Sequence, residues 1–403
     1  MLQHRSDRPP GLSNRGTFVL AVALVLVAVN LRTTVASVPP LLGQIREDIP
    51  MTGAVAGMLT AAPVLCMAWL APWASRLGHR HGYAKGTLMA VLLITVGNGL
   101  RGLAGAAPVL LLATVVAGAG VAVAGVVVPA VVKDAFPGRQ GAATGGYSVA
   151  MMLGAAVSAT FSAPLAHLLG SWRESLSFWA VPAVGAAVVW VVVASRLPRR
   201  HAAAVATGRR MALPWQSRPA WLLVVFLSCQ SALAYSFLGW LAPVYVSRGW
   251  TPFAAGALVG VNNLAQLAAA LTLPALADRV RHFPRLAMAA VSLTVVGTIW
   301  LWRFPEAIPV LAVVVLGLGL GGGFSLGLTR IVHYAADAQS SSRLTALVFL
   351  VSYTVAAVTP VVFGFVRDLS GGFTVPLGLL ALLALAELTV AGRLTSDHVG
   401  SVA

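Results

Sequence analysis

Charge is what this sequence has least of. Only 9% of its 403 residues are Asp, Glu, Lys or Arg, where a soluble domain of average make-up carries about 25%. With 58% hydrophobic residues, a water-soluble fold would expose large apolar patches, so the natural solvent for the chain is a bilayer. Acids are scarcer still, 11 against 27 Lys and Arg. They form no paired-carboxylate or nucleophile–base arrangement, so an enzyme is not expected. Cysteine is limited to Cys66 and Cys229, both inside apolar runs; neither a disulfide framework nor a metal cluster is expected, and both read as small packing side chains. The Gly-rich stretches do not end in Lys followed by Ser or Thr, so they are not phosphate loops, and no cofactor or direct drive by ATP is expected. Nothing resembles a soluble sensor domain, which argues against a receptor.

What the chain has instead is a succession of long apolar runs. They lie near 17–39, 53–75, 86–106, 108–132, 141–168 and 175–195, then near 221–246, 252–276, 285–303, 307–332, 343–366 and 373–393. Each is close to the ~20 residues that a spanning helix needs. Backbone groups in lipid must be satisfied within their own segment, which selects helices; the alternating ten-residue strands of a membrane barrel are not seen. The first run follows Arg5, Arg8 and Arg15 as a signal peptide would, but its length and the many equal runs after it make it a retained first span.

The formal net charge of +16 does not indicate nucleic acid, because the basic residues sit in short loops between apolar runs. With the N-terminus placed inside, the inner loops hold Arg76, Arg80, Lys85, Lys133, Arg139, Arg279, Arg281, Arg285, Arg330 and Arg343. The outer side holds isolated cations such as Arg46, Arg101, Arg173 and Arg367, several beside acids. This bias puts both termini in the cytoplasm and the protein in the cell inner membrane. The long polar break at 198–220 reads as a cytoplasmic linker between six-helix bundles at 17–197 and 221–394, with tails at 1–16 and 395–403.

The two halves repeat. A shift of 201 maps Gly118 and Gly120 onto Gly319 and Gly321, Thr144 onto Thr345, Gly170 onto Gly371 and Trp172 onto Phe373. Parallel six-helix repeats are a known transporter plan. The loops after the second and eighth runs also correspond, Ser75-Arg76 with Asp278-Arg279.

Those loops resemble the cytoplasmic motif of the major facilitator superfamily. Ala277-Asp278-Arg279 with Arg281 and Arg285 fits its Asp-Arg and basic cluster; in the first copy Ser75 replaces the Asp and Ala71 stands near the place of the Gly. Asn30-Leu31-Arg32, Pro63-Val64-Leu65, PAVVKDAFP at 129–137, TGGYSVAMMLGAA at 144–156 and Gly170-Ser171-Trp172-Arg173 resemble the cyanate and 2-nitroimidazole transporter branch. The resemblance implies an all-α membrane protein of about twelve helices in two pseudo-symmetric bundles. It also implies gating roles for Arg76, Asp278 and Arg279.

Arg32 is the leading binding candidate, because a charge deep in an apolar helix is expensive and faces a cavity or a partner by default; the plain alternative is snorkelling to an interface. Asn262, Asn263 and Gln266 share one helical side by their offsets of three and four, as a cavity face or as interhelical glue. Arg330, Tyr235, Tyr147 and Tyr353 complete the substrate-binding candidates. Gln230 is a weaker one, Lys133-Asp134 reads as a surface anchor, His333 as interfacial, and Glu387 as a proton relay or an acid near its helix end. The expected function is a secondary active transporter of a small polar or anionic solute by alternating access. The alternative is a proton-coupled multidrug exporter, against which stands Arg32 where a cation exporter wants an acid. Partners expected are the small-molecule substrate, membrane lipids and a coupling proton, not nucleic acid, with the chain acting as a monomer. For the topology, single cysteines at 200–215 should label only from the cytoplasmic face in sealed, oriented vesicles; labelling confined to the outer face would refute it.

Overall fold

The computed structural model describes residues 14–136, 140–194, 213–277 and 283–394. The helices are α1 (Asn14–Ala36), α2 (Leu42–Asp48), α3 (Gly53–His81), α4 (Tyr83–Arg101), α5 (Ala107–Ala135), α6 (Gln140–Leu169), α7 (Trp172–Phe178) and α8 (Ala180–Ala194). The second set is α9 (Arg218–Val246), α10 (Pro252–Ala277), α11 (Phe283–Arg303), α12 (Pro309–Tyr334), α13 (Ala338–Ser370) and α14 (Thr374–Ala391). Among the described residues twelve segments are long and apolar enough to cross a membrane, and no strand occurs. The sixth apolar run, expected as one helix, is broken at Trp179 into α7 and α8. Of the expected linker at 198–220, residues up to 212 lie outside the described residues.

Consecutive spans alternate in direction. The side where α1 begins and α14 ends is called proximal here, and the opposite side distal. Packing repeats between the halves: α4 on α5, α3 on α5, α1 on α6, α4 on α8 and α1 on α8 are matched by α11 on α12, α10 on α12, α9 on α13, α11 on α14 and α9 on α14. Gly170 and Gly371 both end their helices with positive φ, 84° and 68°, a conformation glycine adopts without penalty, so the shift of 201 holds there. In α5 and α12 the packing follows a different shift. Gly118 faces α3 and Gly120 faces α4, whereas Gly317 faces α10 and Gly319 faces α11. The equivalent pairs are therefore Gly118 with Gly317 and Gly120 with Gly319, two residues off the sequence alignment, because neighbouring Gly residues allow two registers and only the packing selects one.

The halves meet through α3 on α13 and α6 on α10. These contacts are distal and built on glycine. A Cβ at Gly57 would lie 2.8 Å from the Pro360 carbonyl carbon and 2.9 Å from Val361 Cα; Gly53 opposes Gly364, Gly256 opposes Ala159 and Gly260 opposes Thr160. The apolar cores agree. One buried cluster joins both halves distally, from Leu41, Ala159 and Trp172 to Trp240, Leu258 and Phe363. Proximally the core is split, one cluster around Trp190 and Val127 in the first half and another around Phe226 and Tyr334 in the second. The conformation is thus sealed distally and divided proximally.

Gly57→Leu should prevent distal closure without disturbing either half. Spin labels at the exposed Glu47 and Ser247, in a cysteine-free background, should report a longer separation than in the parent protein.

Candidate functional site

The α1 segment Asn30–Thr34 divides its side chains between two environments. Asn30, Thr33 and Thr34 are buried in the first half. The Asn30 amide donates to the Leu26 and Pro182 carbonyls at 2.8 and 3.3 Å, and the Thr33 and Thr34 hydroxyls donate to the Asn30 carbonyl, both at 3.1 Å. These bonds fix the rotation of α1, and Arg32 is left on the other side of the helix, half-buried.

There the guanidinium meets groups from three further helices. It lies 5.9 Å from the centroid of the Tyr235 ring on α9, and its electrostatic neighbours are Tyr235, Tyr353 of α13 and Tyr147 of α6. Tyr235 and Tyr353 pack edge to face at 6.4 Å, and Phe349 stacks on Tyr353 at 5.2 Å. Tyr235 also belongs to a small cluster with Ala61, Val64, Ala356 and Ala357 that spans the two halves. Among the described residues no carboxylate pairs with Arg32. The arrangement is one cation facing phenol groups from both halves, below a sealed distal layer. A cation–π contact contributes on the order of 0.5–2 kcal/mol, and with a hydrogen bond to the Tyr235 side chain it positions the guanidinium.

Of the sequence candidates, Arg32, Tyr147, Tyr235 and Tyr353 are therefore brought together. Asn262 and Gln266 stand on α10 against α12, and Asn263 is buried on the same helix. The Asn262 amide donates to the Val313 carbonyl at 2.9 Å and accepts from Gln266 at 2.7 Å, while the Asn263 amide nitrogen is buried without a partner among the described residues. Arg330 is 5% exposed at the proximal end of α12 and stacks on Phe283, 3.7 Å from the ring centroid; it does not reach the Arg32 group. Arg76 is exposed on α3. Asp278 and Arg279 lie outside the described residues, and so do the side chains of Lys133 and Asp134. Gln230 is buried and donates to the Leu320 carbonyl. An apolar groove of about 520 Å³, lined by Val157, Phe161, Leu165, Leu168, Phe178 and Val181, opens on the outside of the first half, where Phe161 and Val181 are exposed. It offers no polar side chain to a solute.

Two features escape sequence reading. Arg101, expected as an isolated cation of the outer loops, is fully buried. It donates to the Thr34 carbonyl at 2.8 Å and to Asn98 at 3.2 Å, holding the end of α1 just beyond Arg32. Basic residues near span ends read as loop residues, and hydropathy does not tell which way a side chain turns. The second is Asp368 at the distal end of α13. It accepts from the Gly53 backbone N–H at the start of α3 and pairs with Arg46 at 3.8 Å and Arg367 at 3.1 Å, joining the halves where the helix dipole of α3 favours an acid.

The sequence matches the family described as Major Facilitator Superfamily over residues 20–360. The chain belongs to the major facilitator superfamily. It is 31% identical over 377 residues to the 2-nitroimidazole transporter of Escherichia coli (strain K12), covering 93% of this chain and 94% of that one. It is equally identical to the cyanate transport protein CynX of the same strain, over 93% of this chain and 96% of that one. An uncharacterized transporter of Bacillus subtilis (strain 168), YycB, is 29% identical over 94% of this chain and 93% of its own. Among solved structures, a D-xylose-proton symporter superposes with a TM-score of 0.75 over 96% of this chain and 99% of that one, at 12% identity. The inward open form of the xylose transporter XylE from E. coli does so at 0.75 over 93% and 95%, at 11% identity. Those two likenesses establish the fold. This major facilitator protein is thus a multi-pass membrane transporter, as expected, and not an enzyme.

Of the α10 amides, Asn262 makes an interhelical bond in this geometry, to α12. Asn262→Leu should lower stability by about 1 kcal/mol, the usual value of one such bond, read as an earlier thermal unfolding transition in detergent. Substrate affinity should stay unchanged.

Proposed function

We propose that the protein is a secondary active transporter that carries a small, flat, anionic or strongly polar solute across the cell inner membrane by alternating access. The observation that carries this reading is Arg32, a cation with no paired carboxylate, framed by Tyr147, Tyr235 and Tyr353 from both halves. A guanidinium offers planar paired donors suited to carboxylate-like oxygen pairs, and tyrosine rings offer flat walls with hydroxyl donors. The names of the two E. coli relatives fit: cyanate is a small anion, and 2-nitroimidazole is a flat ring with two nitro oxygens. Because the tyrosines come from α6 on one side and from α9 and α13 on the other, a solute seated on Arg32 touches both halves and favours the closed arrangement. The proximal opening is the cytoplasmic one in this reading, with both termini inside and the linker at 198–220 tying the bundles together. Asp278 and Arg279 would latch that side with Arg76, and the protein would work as a monomer in contact with lipid.

The alternative, export of cationic drugs, is disfavoured by the same cation. A cationic guest at about 4 Å from Arg32 would be repelled by about 4 kcal/mol at an effective dielectric constant near 20.

Uptake by inside-out and right-side-out vesicles tests the reading with cyanate and 2-nitroimidazole as probes. Transport should persist without ATP when a gradient is imposed. Arg32→Gln should weaken cyanate transport by about 10- to 100-fold, the worth of a charged hydrogen bond at ~1.5–3 kcal/mol, and weaken 2-nitroimidazole transport less. Arg32→Lys should recover part of the cyanate affinity and little of the rest. A folded Arg32→Gln protein with unchanged affinity and rate for both probes would refute the role.

A further inference from the structure

Glu387 is the only buried acid among the described residues, with none of its surface exposed. Among the described residues neither carboxylate oxygen has a hydrogen-bond partner. It lies on α14 with Ala384 and Ala391 beside it on the same face, both also fully buried, and α14 packs on α9, α11 and α13. Charged and titratable groups on those helices do not serve it. From α9, which also carries Arg218, Tyr235 and Tyr245, the Cys229 thiol comes within electrostatic reach. Arg285 and Arg303 stand near the two ends of α11. On α13, Arg367 pairs with Asp368, Arg343 donates to Ser340, and Tyr353 belongs to the Arg32 group.

A carboxylate removed from water with no counter-charge is far too costly to persist, and such a group instead takes up a proton. A metal ion does not answer the need. Hard cations require about six or more oxygen ligands, and the described residues hold no cluster of His, Cys, Asp and Glu able to bind one. Even as a neutral acid, Glu387 leaves its hydrogen bonds unmade in this conformation, so it adds nothing to the stability of the distally sealed state. A buried polar group without partners in one state of a two-state protein is explained when the other state supplies water or a partner.

We propose that Glu387 is the proton-binding site through which transport is coupled to a proton gradient. The proposal rests on the transport reading above and adds the coupling ion and its seat. The connecting element is α9. It faces Glu387 at Cys229 and Arg32 at Tyr235, six residues on, about 9 Å along the helix. Loss of the proton leaves an anion under α9. Water entry or a shift of α9 against α14 relieves it, and either displaces the Tyr235 wall of the Arg32 site.

Two measurements test this. In the first, infrared difference spectra of the purified protein in lipid are recorded as a function of pH, for the parent and for Glu387→Gln. The expected result is a protonated carboxylic acid band that is lost as pH rises and is missing from the variant. A Glu387 band that never titrates while the protein stays folded would overturn the proposal, since the proton would then be structural. In the second, vesicles are loaded against a pH gradient with cyanate or 2-nitroimidazole. One proton per cycle supports about tenfold accumulation per pH unit. Glu387→Gln should still exchange the probe downhill while losing that accumulation, and an undiminished response to the gradient would overturn the assignment. If Glu387→Gln does not fold, Glu387→Asp, which keeps the acid on a shorter stem, should shift the infrared titration; an unshifted titration counts against Glu387. If the parent moves neither probe, the transport reading fails while the infrared result still decides the proton site.

Discussion

Close approach of backbones is what the rest of this structure depends on. Lipid is as apolar as a leucine side chain, so helices in a membrane gain little by hiding apolar surface from it, and association rests on packing and on polar bonds between helices. The contacts within each half and between the halves use glycine at the crossing points. Gly118 lies on Pro63, Gly97 on Ala117, Gly297 on Leu316, and Gly57 on Pro360. The first three set the internal geometry of the bundles. The last belongs to a surface that must separate and re-form if the protein alternates, and a glycine crossing suits that use because it fits closely without interlocking side chains.

Polar groups follow from the same constraint. Where water is absent, each must find a partner or carry a cost. Asn30, Thr33, Thr34, Asn98 and Arg101 form one connected patch around the distal end of α1. That patch pins the helix from behind and leaves Arg32 directed at the other half. Distally, Asp48 accepts from Trp172 at 3.0 Å and from Arg173 within the first half, whereas Asp368 reaches across to Gly53 and Arg46. Similar chemistry thus stabilises one half in the first case and the closed arrangement of both in the second. The Asp368–Arg46 pair is partly exposed, 31% and 27% at the side chains, so it contributes weakly and reversibly. Such a pair can part and re-form at little cost.

The division of the core carries the conformational information. A continuous distal cluster and two separate proximal clusters place the opening on the side of the termini. Arg32 and its tyrosines sit just beneath the distal seal, at the closed end of the space between the halves. In the transport reading proposed above, a solute seated there would bridge α1 and α6 to α9 and α13, and its binding energy would favour one arrangement of the two bundles over another.

Length and polarity of the apolar runs were enough to determine the twelve spans, because the cost of leaving backbone groups unpaired in lipid acts on each segment separately. The depth of Arg32 was legible for the same reason, since a charge amid one long apolar run stands out without knowledge of its neighbours. Tyr147, Tyr235 and Tyr353 were weak signals: an aromatic in a helix is usually packing, and their meeting depends on α1 lying between helices far apart in sequence. The repeat was legible at Gly170 and Gly371, where a left-handed turn demands glycine, and slipped by two residues in α5 and α12, where several glycines are equally permitted by the chain. Arg101 and Glu387 show the same limit. Both are ionisable residues near a span end, where an unbranched side chain can turn outward to water or inward to the bundle. Helix rotation decides between those outcomes, and rotation is set only when the helices pack.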